Sequence, residues 1–148
     1  MVIEKRLNNI VKESFPELLS YSFSLEYDEI KNGFAETWET SETSYTFTLD
    51  ILFEEADEDV VIGLLAHELS HITQDIGYSK YEVWFDNFLY SRFPKYSLLD
   101  ERNTDLTVIL RGYGLNLLKL LRYIEDKYPE YVTEGLSVNE IKILLNSM

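Results

Sequence analysis

The stretch SYTFTLDILFEEADEDVVIGLLAHELSH, residues 44–71, changes its periodicity halfway, and the fold class follows from that change. From 44 to 53, Tyr45, Phe47, Leu49, Ile51 and Phe53 alternate with Ser44, Thr46, Thr48 and Asp50, the period of a strand with one buried face. Residues 54–59, EEADED, then gather carboxylates of the kind that favourably meet the free N–H groups and positive dipole end of a helix N-terminus. The spacing predicts a helix from about 58 to 76, closed by Gly77. In a chain of 148 residues, 45% of them hydrophobic, there is material for one core, so a single domain of α+β class over 1–148 is expected.

The flanking segments extend this pattern. YSFSLEY (21–27) and GFAETWE (33–39), joined through the turn signal Lys31-Asn32-Gly33, read as a hairpin. With 44–53 they predict a small, mainly antiparallel three-stranded sheet. Upstream, Ile3, Leu7, Ile10, Val11 and Leu18 fall at helical intervals, so an N-terminal helix should end near Ser20. Downstream, residues 78–96 form an aromatic-rich connection holding one short helix. There Trp84, Phe85, Phe88, Leu89 and Phe93 are expected to make a satellite core, with a pocket wall or a dimer surface as alternatives. Ser97 and Asp100 have capping-box spacing ahead of a long helix reaching Pro129, and Ser137 with Glu140 repeats it ahead of VNEIKILLNS. The core thus spans about 2–127, and residues 130–148 are a C-terminal extension.

Composition narrows the function. With 27 acidic residues against 13 basic, a net charge of −14 repels phosphate backbones and anionic bilayers, which argues against nucleic-acid and membrane partners. No apolar run approaches the roughly 20 residues of a membrane span, and the amphipathic start MVIEKRLNNIVKE is unlike a signal peptide. A soluble, cytoplasmic protein is expected. Without cysteine, any metal has to be held by imidazole and carboxylate.

Both histidines of the chain lie in the predicted helix, four residues apart, with Glu68 directly after the first. One helical turn separates His67 from His71, so both rings can aim at a point about 2.0 to 2.1 Å from each, the bond length zinc requires. Glu68, rotated by about 100°, can reach a water at that point without being a ligand. The pattern H-E-x-x-H therefore has a mechanism attached: metal-activated water as nucleophile, carboxylate as general base. The competing reading is a buried helix whose histidines are merely hydrogen-bonded. Ile62, Leu65, Leu69, Ile72 and Ile76 make one apolar stripe, and the histidines emerge nearly opposite, beside Val60 and Leu64. Two imidazoles on a second apolar face would be costly without partners, which favours one bound zinc ion.

A catalytic zinc takes three protein ligands and leaves a position open. The third has to be a carboxylate, and Glu101 and Asp105 share one helix face in DERNTD. Glu101 is assigned as ligand and Asp105 as the acceptor of a ligand histidine's other N–H, with the reverse open. Their face continues through Val108 and Gly112, away from an expected core stripe of Leu106, Ile109, Leu110, Tyr113, Leu117 and Ile124. Gly112 implies either close helix approach or a kink. Asp100 reads as a cap and Asp75 as a solvated helix end.

AHELSH, followed 30 residues after His71 by ERNTD read as E-x-x-x-D, resembles the gluzincin metallopeptidases, and the order of elements is similar to their smallest members, the minigluzincins. The likeness covers about residues 2–127 but is specific only in the two short motifs. It implies zinc on His67, His71 and Glu101, Glu68 as general base and acid, and Asp105 as the group orienting a histidine. It further implies peptide or protein substrates, added along an exposed sheet edge, here expected to be the 44–53 strand. Such enzymes also stabilise the oxyanion with a histidine or tyrosine. No third histidine exists, so Tyr113 is the candidate, with Tyr78, Arg111 and Arg122 as alternatives. A zinc-dependent peptidase is the first expectation. A latent or catalytically silent zinc module, covered by the 130–148 extension and its terminal carboxylate, is the second; a metal-free helical domain is the third. Other divalent ions would suit the same ligands.

Overall fold

The computed structural model describes residues 2–76 and 80–148. Its α+β architecture runs α1 (Val2–Ser14), β1 (Ser22–Asp28), β2 (Ala35–Ser41), β3 (Ser44–Asp50), α2 (Glu58–Asp75), α3 (Lys80–Arg92), α4 (Pro94–Val108), α5 (Gly114–Lys127) and α6 (Val138–Ser147). Helix α1 stops at Ser14, short of Ser20, because Pro16 disfavours helical backbone at Phe15 and starts a separate short 3-10 turn. The end of α2 at Asp75 matches expectation, while Gly77 lies outside the described residues.

The sheet has the expected three strands but a different order. β3 is central, parallel to β1 on one side and antiparallel to β2 on the other. The expected hairpin of β1 with β2 is therefore replaced by a β2–β3 hairpin, and the sheet is mixed. Burial explains the choice: Phe47, Thr48, Leu49 and Asp50 are all buried in β3, whereas β1 and β2 alternate with exposed residues. A strand buried on both faces belongs in the middle. β3 is thus not an edge strand, and β1 and β2 are. Beyond Asp50 the expected strand becomes a 3-10 turn, Ile51–Glu55, with Ile51 and Leu52 exposed and Phe53 buried. The Asp50 carboxylate accepts the Ile30 N–H at 3.0 Å and the Tyr128 hydroxyl, tying the β1–β2 crossover to the segment after α5.

Helix α2 runs through the core. Val60 through Ala66 are all buried, which covers the full circumference of the helix, and it packs against α4, α5, α1 and β2. Both apolar faces read from the sequence are real. The closest approach is at Gly63, where an added Cβ would lie 2.5 Å from the Asn116 carbonyl oxygen of α5.

The long helix expected from 98 to 128 is two helices. Pro94 opens α4 at its first turn, so Ser97 and Asp100 lie inside the helix and neither caps it. At Ile109–Tyr113 the chain makes a wide π turn, with Gly112 at φ +99°, a backbone region that L side chains avoid. This is the kink that a mid-helix glycine suggested. It resets the helical phase: Ile109, Tyr113, Leu117 and Ile124 are buried as expected, but Leu106 and Leu110 are exposed, and Asp105 and Val108 turn inward instead.

Helix α3 is longer than the short helix expected, and its aromatic face is not a satellite core. Trp84 is 60% exposed, and Phe85, Phe88 and Phe93 are exposed too. The opposite face, through Asp86 and Tyr90, turns toward the interior cleft described below. Periodicity identified the apolar face without saying which side faces the protein. Helix α6 forms as expected, with Ser137 and Glu140 making both bonds of a capping box. Among the described residues, no helix is long and apolar enough to cross a membrane.

Substituting Gly63→Ala separates propensity from packing. Helix propensity alone would gain up to about 1 kcal/mol, but the clash with the Asn116 carbonyl should cost roughly 1–3 kcal/mol net. Urea unfolding of the two proteins decides the sign.

Candidate metal centre

Helix α2 presents His67 and His71 one turn apart, and α4 brings Glu101 against them. The Nε2 atoms of the two rings are 3.2 Å apart. Glu101 Oε2 is 3.2 Å from His67 Nε2, and Oε1 is 3.3 Å from His71 Nε2. Tetrahedral ligands bonded at zinc-like lengths stand about 3.3 to 3.4 Å from one another. The two rings stand near that spacing and Glu101 meets each with a different oxygen, and among the described residues His67, His71 and Glu101 are the group that could hold a metal ion.

The outer atoms of both rings are also held. His67 Nδ1 lies 2.9 Å from Asp105 Oδ1, and Asp105 is only 3% exposed, so the buried carboxylate fixes Nδ1 as a donor and leaves Nε2 facing the cluster. His71 Nδ1 faces Thr104 Oγ1 at 3.4 Å and Asp100 Oδ2 at 3.9 Å. The Thr104 hydroxyl donates to the Asp100 carbonyl at 2.9 Å and accepts from Gln74 Nε2 at 3.2 Å, which leaves one lone pair for the ring N–H. The assignment of Glu101 inward and Asp105 outward matches this geometry, whereas Asp100, expected as a cap, faces His71.

Charge follows contact. Burial opposes protonation of His67, but hydrogen bonds to Asp105 and Glu101 outweigh it and raise the ring well above the usual imidazole range. His71 is raised as well: burial and the His67 charge oppose protonation, and its Glu101 bond leads the groups that favour it. Burial would raise the Glu101 carboxyl, yet its two imidazole partners hold it far below the usual carboxylate range. Burial, with Asp86 nearby, raises both Asp75 and Asp100. Asp75, expected as a solvated helix end, is exposed but borders the same cleft.

That cleft encloses about 440 Å³ around His67, Glu68, His71, Glu101 and Asp105. One wall is α3, through Asp86, Asn87 and Tyr90, and another is the segment Tyr131–Gly135. Gly33, Phe34 and Ala35, leading into β2, close a third side, and further along that strand Thr37 donates its hydroxyl to Glu68 Oε2 at 2.9 Å. Tyr90 donates to Glu101 Oε1 at 3.0 Å.

Tyr113 is not part of the site. Its hydroxyl pairs with Ser14 Oγ at 2.9 Å and its ring stacks on Phe15, because the π turn rotates it toward α1. Arg111 is engaged by Glu17 and the Ser14 carbonyl, Arg122 is exposed outside the cleft, and Tyr78 lies outside the described residues. Sequence reasoning missed the hydroxyls of Tyr90 and Tyr131, which line the cleft, and of Thr37, which meets it through Glu68. Only Thr37 carried a signal, since it shares the inward β2 face with Ala35. Comparison with known protein families, with curated proteins and with solved structures found no match.

The raised ring pKa values set the direction of a pH effect. Stability from the protonated rings is complete below the unfolded value of about 6.5 and is lost as pH rises through the folded values. A metal ion has to displace those protons, so its apparent affinity should rise with pH over the same range, with up to about two protons, one from each ring, released per ion. Calorimetry of zinc(II) addition in buffers of different ionisation enthalpy measures that release.

Proposed function

We propose that this protein is a zinc-dependent metallopeptidase of gluzincin type. The observation that carries this reading is the convergence of two Nε2 atoms and the Glu101 carboxylate within ion-binding reach, with Glu68 beside them and an edge strand that starts at the same cleft. A zinc ion held by His67, His71 and Glu101 would supply Lewis-acid polarisation of a carbonyl and acidification of a water. Glu68 accepts the proton and passes it to the leaving amine. The Thr37 hydroxyl fixes Oε2 of that carboxylate, which leaves Oε1 to carry the proton. Asp105 keeps His67 in the tautomer that presents Nε2 inward.

An extended peptide fits beside β2, whose outer edge has no strand partner among the described residues and whose first residue, Ala35, lines the cleft with Phe34 just before it. Specificity then comes from the walls. Tyr90 already donates to Glu101, so the Tyr131 hydroxyl is the neutral donor offered there to a developing oxyanion.

One observation favours a second reading, a latent or silent zinc module of the same fold: residues 131–135 wall the cleft. The chain's last residue does not contribute, since Met148 is 72% exposed at the end of α6 and does not border the cleft.

Zinc content and cleavage of unstructured peptides, compared for the parent protein and Glu68→Gln, test the peptidase reading. The substitution should keep stoichiometric zinc and lower turnover by about 10²–10⁴-fold. Equal turnover in both proteins would remove Glu68 from the chemistry, and zinc binding without any cleavage would favour the silent module.

A further inference from the structure

We infer that the segment Gly135-Leu136, outside the sequence motifs, is part of the metal centre: it holds Asp105 in the one orientation that fixes His67. The inference rests on the zinc-centre reading above and extends it to the C-terminal part of the chain. Asp105 uses both carboxylate oxygens. Oδ1 takes the His67 Nδ1–H at 2.9 Å, and Oδ2 takes the Leu136 backbone N–H at 2.9 Å. Neither bond alone fixes the carboxylate plane, because an Asp side chain turns freely about its last torsion; two donors on opposite oxygens do. The pairing is buried, so each donor also satisfies a lone pair that would otherwise be costly to desolvate.

Gly135 makes this approach possible. A Cβ at that position would fall 2.0 Å from Asp105 Oδ2 and 3.0 Å from its Cγ. The residue has no positive φ to explain it, so the glycine serves close approach and not backbone freedom. Any side chain there has to push the carboxylate off the line joining His67 to Leu136.

The rest of the extension anchors that contact. Ser97 donates to Glu134 at 3.2 Å, Arg102 makes a paired bond to Glu140, and Leu145 of α6 lies against Gly114 of α5. Arg102 and Asp105 are both on α4, so the anchor and the carboxylate it serves belong to one rigid element. Gly135 and Leu136 act through Asp105 and are positioning residues. The extension contributes to metal affinity, and shortening it should weaken binding.

A double-mutant cycle between Gly135→Ala and Asp105→Ala tests this, read as zinc affinity by competition with a chromophoric chelator and as the cobalt(II) ligand-field spectrum. Gly135→Ala alone should weaken zinc binding about 10–100-fold, as loss of an outer ligand contact does, and should shift the cobalt bands. In the Asp105→Ala background the same substitution should change affinity less than about twofold, because the group it displaces is gone. An equal loss in both backgrounds, or no loss in the parent, overturns the inference and leaves the zinc centre standing. If the parent protein binds no stoichiometric zinc, both fall. Should Gly135→Ala fail to fold, Leu136→Pro, which deletes the N–H donor, is put through the same cycle with the same criteria.

Discussion

Helix α2 is buried around its whole circumference from Val60 to Ala66, and its next turn carries His67, Glu68 and His71 half-buried, where water reaches them only through the cleft. Desolvating an imidazole or a carboxylate without a partner costs several kcal/mol, so the fold has to bring partners to His67, Glu68 and His71 from other elements. Three elements do so. Helix α4 supplies Glu101, Asp105 and Thr104, β2 supplies Thr37, and the segment after α5 supplies the Leu136 N–H that completes Asp105. Among the described residues no buried side-chain nitrogen or oxygen lacks a partner. The cluster is therefore a consequence of where α2 sits as much as of the residues it contains.

That dependence explains what could be read in the sequence. The α2 boundaries, the two apolar faces of α2 and the α6 cap were legible because each rests on local periodicity or on a short-range bond. His67, Glu68 and His71 were legible because i, i+4 spacing on a helix is itself a geometric statement. Glu101 and Asp105 followed from the same rule applied to α4. Strand order was not legible: alternation shows which side of a strand is buried, and says nothing of which neighbour it pairs with. The consequence reached the site, since the edge strand beside Glu68 is β2 and not β3. Tyr113 misled as well. Even a straight helix puts it on the core stripe and away from the Glu101 face, and the π turn at Ile109–Tyr113 directs it to α1.

The aromatic face of α3 gives the opposite lesson about burial. Trp84, Phe85 and Phe88 form a stripe at helical spacing, the pattern that elsewhere in this chain marks the core. Here the inward face is polar, because Asp86 and Tyr90 line an acidic cleft and not a hydrophobic interior. A helix that walls a polar cavity can carry its apolar residues outward, and sequence pattern alone cannot distinguish it from one that packs on a core.

The cleft's charge bears on what chemistry it can support. Its described lining includes Glu68, Asp75, Asp86, Asp100, Glu101, Asp105 and Glu134, and no lysine or arginine. A potential of that sign holds protons on His67 and His71 and favours a cation at the point where their Nε2 atoms meet. It also opposes any negative charge that develops nearby. Under the proposed reaction, an oxyanion in this cleft would have to be met by the metal and by neutral donors, and Tyr90 is already occupied with Glu101. Tyr131 is not: burial and the nearby Glu101 push its hydroxyl up to about 12, so it keeps its proton across the physiological range and remains a donor. Its ring is fixed against Phe34 at 4.5 Å between centroids, on the chain that leads into β2. The donor, the edge strand and the clamp on Asp105 are thus linked through one C-terminal segment, which makes that segment a working wall of the cleft.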